Sequence, residues 1–230
     1  MLILAFDISS KTAAVSLLRD DAVLCDAVID NGLNASEVLL PAVDDACRVA
    51  GVAPGDIDLF ACTLGPGSFT GLRIGLSTLK GFMLATGKPA AGVSSLAALA
   101  LNVQETGKVI GAMVDAGRGQ VYLAYYRYGS DGLLRQLAPE RAIAPGDIAD
   151  VCEEGVIYVG CGAVKYADAL QARRIGRDTI APEEKQFICA SSVGRLALLK
   201  YRSGDLLDLI KAVPVYLRSA DAVQKKKPLL

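Results

Sequence analysis

The sequence predicts an α/β protein built as two related lobes, on three observations. Apolar runs of strand and helix length follow one another through residues 1–102 in the order β-β-β-α-β-α-β-α. The stretch FDISSKTAAVSLL then returns near the middle of the chain as VDAGRGQVYLAYY: a strand ending in aspartate, a glycine- or serine-containing turn and a hairpin return. Any two hairpins share some of this, so the echo reads as a duplication only beside the element order. Finally, hydrophobic residues make up 52% of 230, enough for a sizeable core.

Each element has its own signal. Residues 2–9 alternate loosely and end a strand at Asp7. TAAVSLLRD and AVLCDAVID follow, split by the turn-like Asp20-Asp21; three strands joined by tight turns make an antiparallel meander. NASEVLLPAVDDACRVAG reads as a helix, with Asn34 or Ser36 to cap its start and Gly51 to close it. Pro41 fits within its first turn or two. DIDLFACTLG is a short buried strand, residues 70–86 a second helix closed by Gly87, and PAAGVSSLAALALN a strand and then a helix. A second lobe begins near GKVIGAMVDAGRGQVYLAYYRYG, again strand, glycine turn, strand. VIYVGCGA is a later strand, and residues 165–173 and 191–201 are helices. The expected division is 1–102 for the first lobe and 103–230 for the second, with a C-terminal tail that can return to the first.

Composition removes several function classes. Lys plus Arg number 24 against 25 Asp plus Glu. That balance argues against sequence-blind nucleic-acid binding, which needs a basic surplus or patch. The one dense basic cluster, 225–227, reads as a solvated tail. No apolar run approaches the ~20 residues that span a membrane. MLILAFDISS has no basic n-region, so it reads as a buried strand and not as a secretory signal. The cysteines at 25, 47, 62, 152, 161 and 189 form no CxxC pair and are expected to be small, mostly buried side chains in a reducing cytoplasm. The chain has no histidine. Ser-His-Asp and Cys-His catalysis are therefore excluded, as are histidine-bound zinc and iron. A general base would be a carboxylate, Lys, Tyr or Cys.

Three stretches carry candidate chemistry. Asp7 precedes Ser9, Ser10 and Thr12. A strand-end carboxylate beside a hydroxyl-rich turn can hold hydrated Mg²⁺ and phosphate oxygens, or simply stabilise the turn. Asp115, followed by Gly117 and Gly119, has the same two readings. LGPGSFTGLRIG, residues 64–75, holds four glycines and one proline in twelve residues. It is not a Walker loop, because no Gly-Lys-Ser/Thr ends it. Gly65, Gly67 and Gly71 can bare backbone N–H groups at a helix N-terminus capped by Ser68 or Thr70; equally, they can serve a tight strand-to-helix crossover.

The two helices add a different signal. At ~100° per residue, Leu72, Leu76, Leu79 and Met83 fall in one stripe. Ile74, Phe82 and Ala85, with Gly71, Gly75 and Gly81, fall in another, and only Arg73, Ser77 and Lys80 make a polar strip. A helix covering one sheet face needs a single apolar stripe. In the preceding helix Val38, Leu39, Leu40, Ala42, Val43, Ala46, Cys47, Val49 and Ala50 cover more than half the circumference. Either both helices are deeply buried or their outer faces meet a partner, and the modest chain length favours a partner. The expected interface is Leu39, Leu40, Val43, Leu72, Leu76, Leu79 and Met83, although the geometry of the second helix also permits the reverse assignment of its stripes.

LAFDISSKTAAVSL, SEVLLPAV, LGPGSFTGLRIGLSTLKGF, GVSSLAALA, VDAGRGQVYLAYY, GCGAVKY and PVYLR occur in this order. Together they closely resemble the TsaB (YeaZ) family, bacterial proteins of N6-threonylcarbamoyladenosine (t6A) biosynthesis in tRNA, within the Gcp-like or M22 glycoprotease-like superfamily. The resemblance runs from Met1 to about Ala222. It implies an actin/Hsp70-like (ASKHA, ribonuclease H-like) fold of two duplicated lobes, in agreement with the internal echo. It also implies a pseudo-enzyme with no catalytic residues, no metal and no cofactor. The catalytic relative, TsaD, holds a metal through a His-x-x-x-His pair after the fifth strand; here Ser95 and Leu99 stand in the matching VSSLAAL. The resemblance further implies a TsaD-like catalytic subunit docked on the first two helices, a TsaE-like ATPase, and tRNA reached only through the complex. It implies a homodimer when the chain is alone, and a cytoplasmic location. TsaD transfers the threonylcarbamoyl group to adenosine 37 of tRNA. On the same resemblance GPGSFTG is an inherited phosphate loop turned structural crossover. Asp7, Ser9, Ser10, Gly65, Gly67, Ser68, Asp115, Gly160 and Gly162 then outline a vestigial nucleotide or anion cleft. Two departures stand out: Ala35-Ser36-Glu37 where the family often has His-Ser-Glu, and Asp115-Ala116-Gly117 where it usually has Asp-Ala-Arg, which removes a possible anion contact. Two other classes compete. One is a small actin-fold ATPase or kinase using Asp7, Asp115 and an adenosine pocket at Gly160-Cys161-Gly162-Ala163. The other is a direct tRNA-binding module.

Overall fold

A computed structural model describes residues 1–30, 35–148, 155–173 and 177–218. Its first sheet comprises β1 (Leu2–Asp7), β2 (Ala13–Arg19), β3 (Ala22–Ile29), β4 (Leu59–Gly65) and β5 (Ala90–Ser94), in the order β3-β2-β1-β4-β5. The meander β1-β2-β3 is antiparallel, while β4 and β5 run parallel to β1. Parallel neighbours need crossovers. Helices α1 (Ala35–Ala50) and α2 (Phe69–Thr86) supply them, and a short α3 (Ser95–Ala100) follows β5.

The second sheet repeats this plan. β6 (Val109–Gly117), β7 (Gln120–Tyr128), β8 (Leu134–Gln136), β10 (Val156–Val159) and β11 (Thr179–Ile180) lie in the order β11-β10-β6-β7-β8, and β9 (Arg141–Ile143) pairs with β7. β6 takes the place of β1, β7 of β2, β8 of β3, β10 of β4 and β11 of β5, with the same parallel and antiparallel senses. The echo in the sequence is thus a repeat of topology. β8, β9 and β11 span two or three residues each, too few to leave a periodicity in the sequence.

Helix boundaries follow local chemistry. The Ser68 hydroxyl accepts from the Gly71 N–H at 3.2 Å to cap α2, and Gly87, at φ 67°, ends it. Thr70 lies inside that helix. The cap expected at Asn34 is outside the described residues, Ser36 falls within α1, and Pro41 sits inside the helix. The helix expected over 165–173 is α5 (Ala167–Arg173), whereas the strand expected over VIYVGCGA ends at Val159 and its last residues open a short helix, α4 (Cys161–Lys165). The last, α6 (Ala190–Ser203), contains the expected 191–201.

α1 and α2 cover one face of the first sheet, over Leu4, Phe6, Val15, Leu17 and Phe60. The other face is covered by α6, while α3 lies on β6 and β7. One core, including Ile3, Ala5, Leu96, Ile110, Val193 and Leu198, therefore joins the two halves of the chain. With both faces covered, β1 and β2 are apolar almost throughout.

This packing corrects the expected interface. Leu72, Leu76 and Leu79 are buried against the first sheet, Leu76 at 6% exposure, and Leu39 and Val43 are buried with them. Side chains already removed from water in this chain have no area left to give a partner. Gly71 and Gly75 are buried too. Their lack of side chains lets α2 approach the sheet along a line between the two stripes. Of the expected residues, Leu40 is 55% exposed and Met83 is half-buried. The outermost apolar side chains of the pair are Leu84, at 70%, and Val49, at 67%.

Among the described cysteines, Cys47 and Cys62 are buried, Cys25 and Cys189 half-buried, and all are free. Cys161 is exposed, contrary to the general expectation; Cys152 lies outside the described residues. Among the described residues no helix is long and apolar enough to cross a membrane.

Candidate functional site

A cleft of about 980 Å³ opens between the two lobes. The turn Ser9–Thr12 and the start of α2, Gly67 to Phe69, line it on one side. Val114–Gly117 at the end of β6, with Cys161 and Lys165 of α4, line it on the other. Asp30, Leu99, Tyr122, Gln186–Ile188, Tyr216 and Arg218 complete the wall.

Duplication puts one aspartate at the end of each central strand, but the two environments differ. Asp115 lines the cleft. Its Oδ1 accepts from the Gly117 N–H at 3.1 Å, and its Oδ2 lies 2.7 Å from the Lys165 Nζ. Partial burial pushes its carboxyl up, but the Lys165 ammonium and the Gly117 N–H outweigh that and hold it below the usual carboxylate range. Asp7 does not line the cleft, which corrects its expected role. It is buried; its Oδ1 accepts from the Ser9 N–H at 3.1 Å and from the Thr63 hydroxyl on β4. Its Oδ2 is buried without a hydrogen-bond partner. Burial pushes its pKa up against the lowering effect of those hydrogen bonds.

The GPGSFTG loop is a close crossing of two backbones. The Ser68 N–H donates to the Ser9 carbonyl at 2.7 Å. A Cβ on Gly67 would stand 2.4 Å from that carbonyl oxygen, and one on Gly71 would stand 2.0 Å from the Ile8 oxygen. The Ser68 and Gly71 N–H groups are already bonded within the chain.

Of the expected cleft residues, Ser9, Ser10, Gly67, Ser68 and Asp115 line it; Asp7, Gly65, Gly160 and Gly162 do not. Gly160 and Gly162 lie instead against the backbone of Met113 and Val114, so they serve packing between α4 and β6. Ala163 beside them is fully buried, whereas Cys161 lines the cleft. Ser95 is buried with its hydroxyl unpartnered, and Leu99 is an apolar wall. Neither has the ligand chemistry of imidazole. Among the described residues no three His, Cys, Asp or Glu side chains are grouped to hold a metal. Sequence reasoning missed Thr63, Lys165 and the pair Tyr216 and Arg218. A lone hydroxyl in the apolar run LFACTLG was the available signal for Thr63.

Residues 33–192 match the family model described as TsaD, tRNA N6-adenosine threonylcarbamoyltransferase. The tRNA threonylcarbamoyladenosine biosynthesis protein TsaB of Bacillus subtilis (strain 168) is 31% identical over 98% of this chain and 97% of its own length. The chain belongs to the TsaB (YeaZ) family. YeaZ from Pseudomonas aeruginosa superposes with a TM-score of 0.81 at 27% identity, covering 94% of this chain and 99% of its own. The fold is the actin-like one that TsaB shares with more distant proteins. The activator of 2-hydroxyisocaproyl-CoA dehydratase from Clostridium difficile, solved with bound ADPNP, aligns with a TM-score of 0.52 at 12% identity, over 89% of this chain and 97% of its own.

Proposed function

We propose that this chain is a non-catalytic assembly partner of a TsaD-like enzyme in t6A modification of tRNA adenosine 37. The observation that carries this reading is Asp7: the carboxylate that a working nucleotide cleft would present is buried and bonded to Thr63 and Ser9. Ser95 and Leu99, where the enzyme has its metal-binding histidines, support the same conclusion. The TsaD-like subunit docks on the outer faces of α1 and α2, over Leu40, Val49, Met83 and Leu84. A TsaE-like ATPase joins them in the cytoplasm, tRNA is reached only through the complex, and the same face pairs two copies when the chain is alone. Residues 1–102 and 103–230 act as the two lobes, with α6 and the tail after it returned to the first.

The second reading, an ATPase or kinase, is favoured by the size of the cleft and by the ADPNP-bound relative of the same fold. Reconstitution separates the two. With TsaD-like and TsaE-like subunits and unmodified tRNA, omission of this chain should abolish t6A measured by nucleoside chromatography. The isolated chain should give no heat with ATP and Mg²⁺ in titration calorimetry. Binding and hydrolysis by the isolated chain, both lost in Asp7→Ala, would establish the enzyme reading instead.

A further inference from the structure

The docking role leaves the segment after α6 unexplained. Beyond Gly204 the chain turns back along the first lobe, where the Leu207 N–H donates to the Ala90 carbonyl at 2.8 Å and the Val215 N–H to that of Leu64 at 2.7 Å. The Val215 carbonyl lies so close to Gly65 that a Cβ there would stand 2.5 Å from it. The segment next meets the first turn of α2. The Tyr216 ring sits 4.9 Å from that of Phe69, and its hydroxyl accepts from Arg73 Nε at 3.2 Å. The Arg73 guanidinium lies over Phe69 at 3.9 Å. Two residues on, the chain reaches the other lobe: Arg218 Nη1 donates to the Ala116 carbonyl at 2.9 Å and to that of Gly117 at 3.5 Å.

We propose that residues 205–218 are a strap holding the two lobes together across the mouth of the cleft. Arg218 is its latch, and Tyr216 is the joint that makes the latch respond to the first turn of α2. The strap is anchored on the first lobe by backbone hydrogen bonds at two strands, whereas its described hydrogen bonds to the second lobe come from one guanidinium. The latch is therefore the part that yields first. Tyr216 stands between the first turn of α2 and the latch, so loss of its contact with Arg73 loosens the latch. This follows from contacts within the chain and holds whether or not the partner is TsaD-like.

Hydrogen exchange with mass spectrometry on the full chain tests it. In Arg218→Ala, exchange should accelerate roughly tenfold in peptides covering 205–218 and 114–121, the change given by losing about one charge-assisted hydrogen bond. The α6 peptide 190–203 should not change. Arg73→Ala should accelerate 114–121 in the same direction, although its hydrogen bond is to Tyr216 on the strap. Lys211→Ala removes a strap side chain that is 85% exposed and should change neither peptide. Unaltered exchange at 114–121 in Arg218→Ala, or equal acceleration in every peptide including α6, would overturn the strap. Unaltered exchange there in Arg73→Ala would overturn the joint, and an effect of Lys211→Ala matching that of Arg218→Ala would overturn the latch.

Discussion

Replacing Gly71 by alanine would put a methyl carbon 2.0 Å from the Ile8 carbonyl oxygen and 3.1 Å from its carbonyl carbon. Both are backbone atoms, so no rotamer change relieves the contact. Even close C–H···O contacts keep carbon and oxygen about 3.3 Å apart, so the two backbones must separate by about 1 Å. The hydrogen bond from Ser68 to Ser9, 2.7 Å long, lies in the same crossing and is lost with it. Overpacking a rigid site costs about 1–3 kcal/mol and the lost bond about 1 kcal/mol. Alanine's better helix propensity offsets about 1 kcal/mol. The net loss is about 1–3 kcal/mol, which lowers the melting temperature of a chain of this size by about 2–12 °C. Gly81 is the matched control: it lies in the same helix, it is exposed, and an added Cβ meets nothing within 4 Å. Gly81→Ala should raise the melting temperature by about 1–4 °C. Thermal melting by circular dichroism reads both. If Gly71→Ala melts at or above the parent while Gly81→Ala behaves as expected, the two backbones do not cross as described. The loop is then free to serve a ligand.

Leu76→Glu should unfold the chain, because burying a carboxylate in the α2 face that meets the sheet costs at least about 4 kcal/mol. Leu84→Glu, at a position 70% exposed, should change stability by less than about 0.5 kcal/mol and abolish association, read by light scattering with size-exclusion chromatography. A folded Leu76→Glu variant would overturn the orientation of the helix. Burial holds the Glu140 carboxyl above its usual range, against the hydroxyls of Ser94 and Tyr126 that donate to it. A carboxyl raised by folding contributes stability that is present below its unfolded pKa and lost as pH rises through the folded one. Glu140→Gln keeps an acceptor for both hydroxyls, so it should melt above the parent near about pH 7 and level with it near about pH 4. A gap that widens toward acid would show that the carboxylate is favoured there.

Much of the first lobe is legible in the sequence because it rests on local chemistry. Asp20-Asp21 splits the hairpin, Ser68 and Gly87 bound α2, and glycines occupy the crossing at 65–71 because a side chain there would meet backbone. The repeat of FDISSKTAAVSLL in VDAGRGQVYLAYY announces a duplicated topology for the same reason: strand, turn and return are each written in neighbouring residues. The orientation of α2 is different. It is apolar on two sides, so periodicity offers two stripes of similar weight, and only the approach allowed by Gly71 and Gly75 decides that Leu72, Leu76 and Leu79 go inward. Asp7 and Asp115 look alike in the sequence and part company in space. Asp7 meets a Thr63 hydroxyl 56 residues away and is enclosed, while Asp115 meets Lys165 50 residues away and stays in the cleft. The strap is decided in the same way, by Arg218 finding Ala116 across a separation of 102 residues. Strand ends, caps and turns depend on residues a few positions apart. Burial, ion pairing and the bridging of two lobes depend on which distant segments the packed core brings together, and those the tertiary structure alone decides.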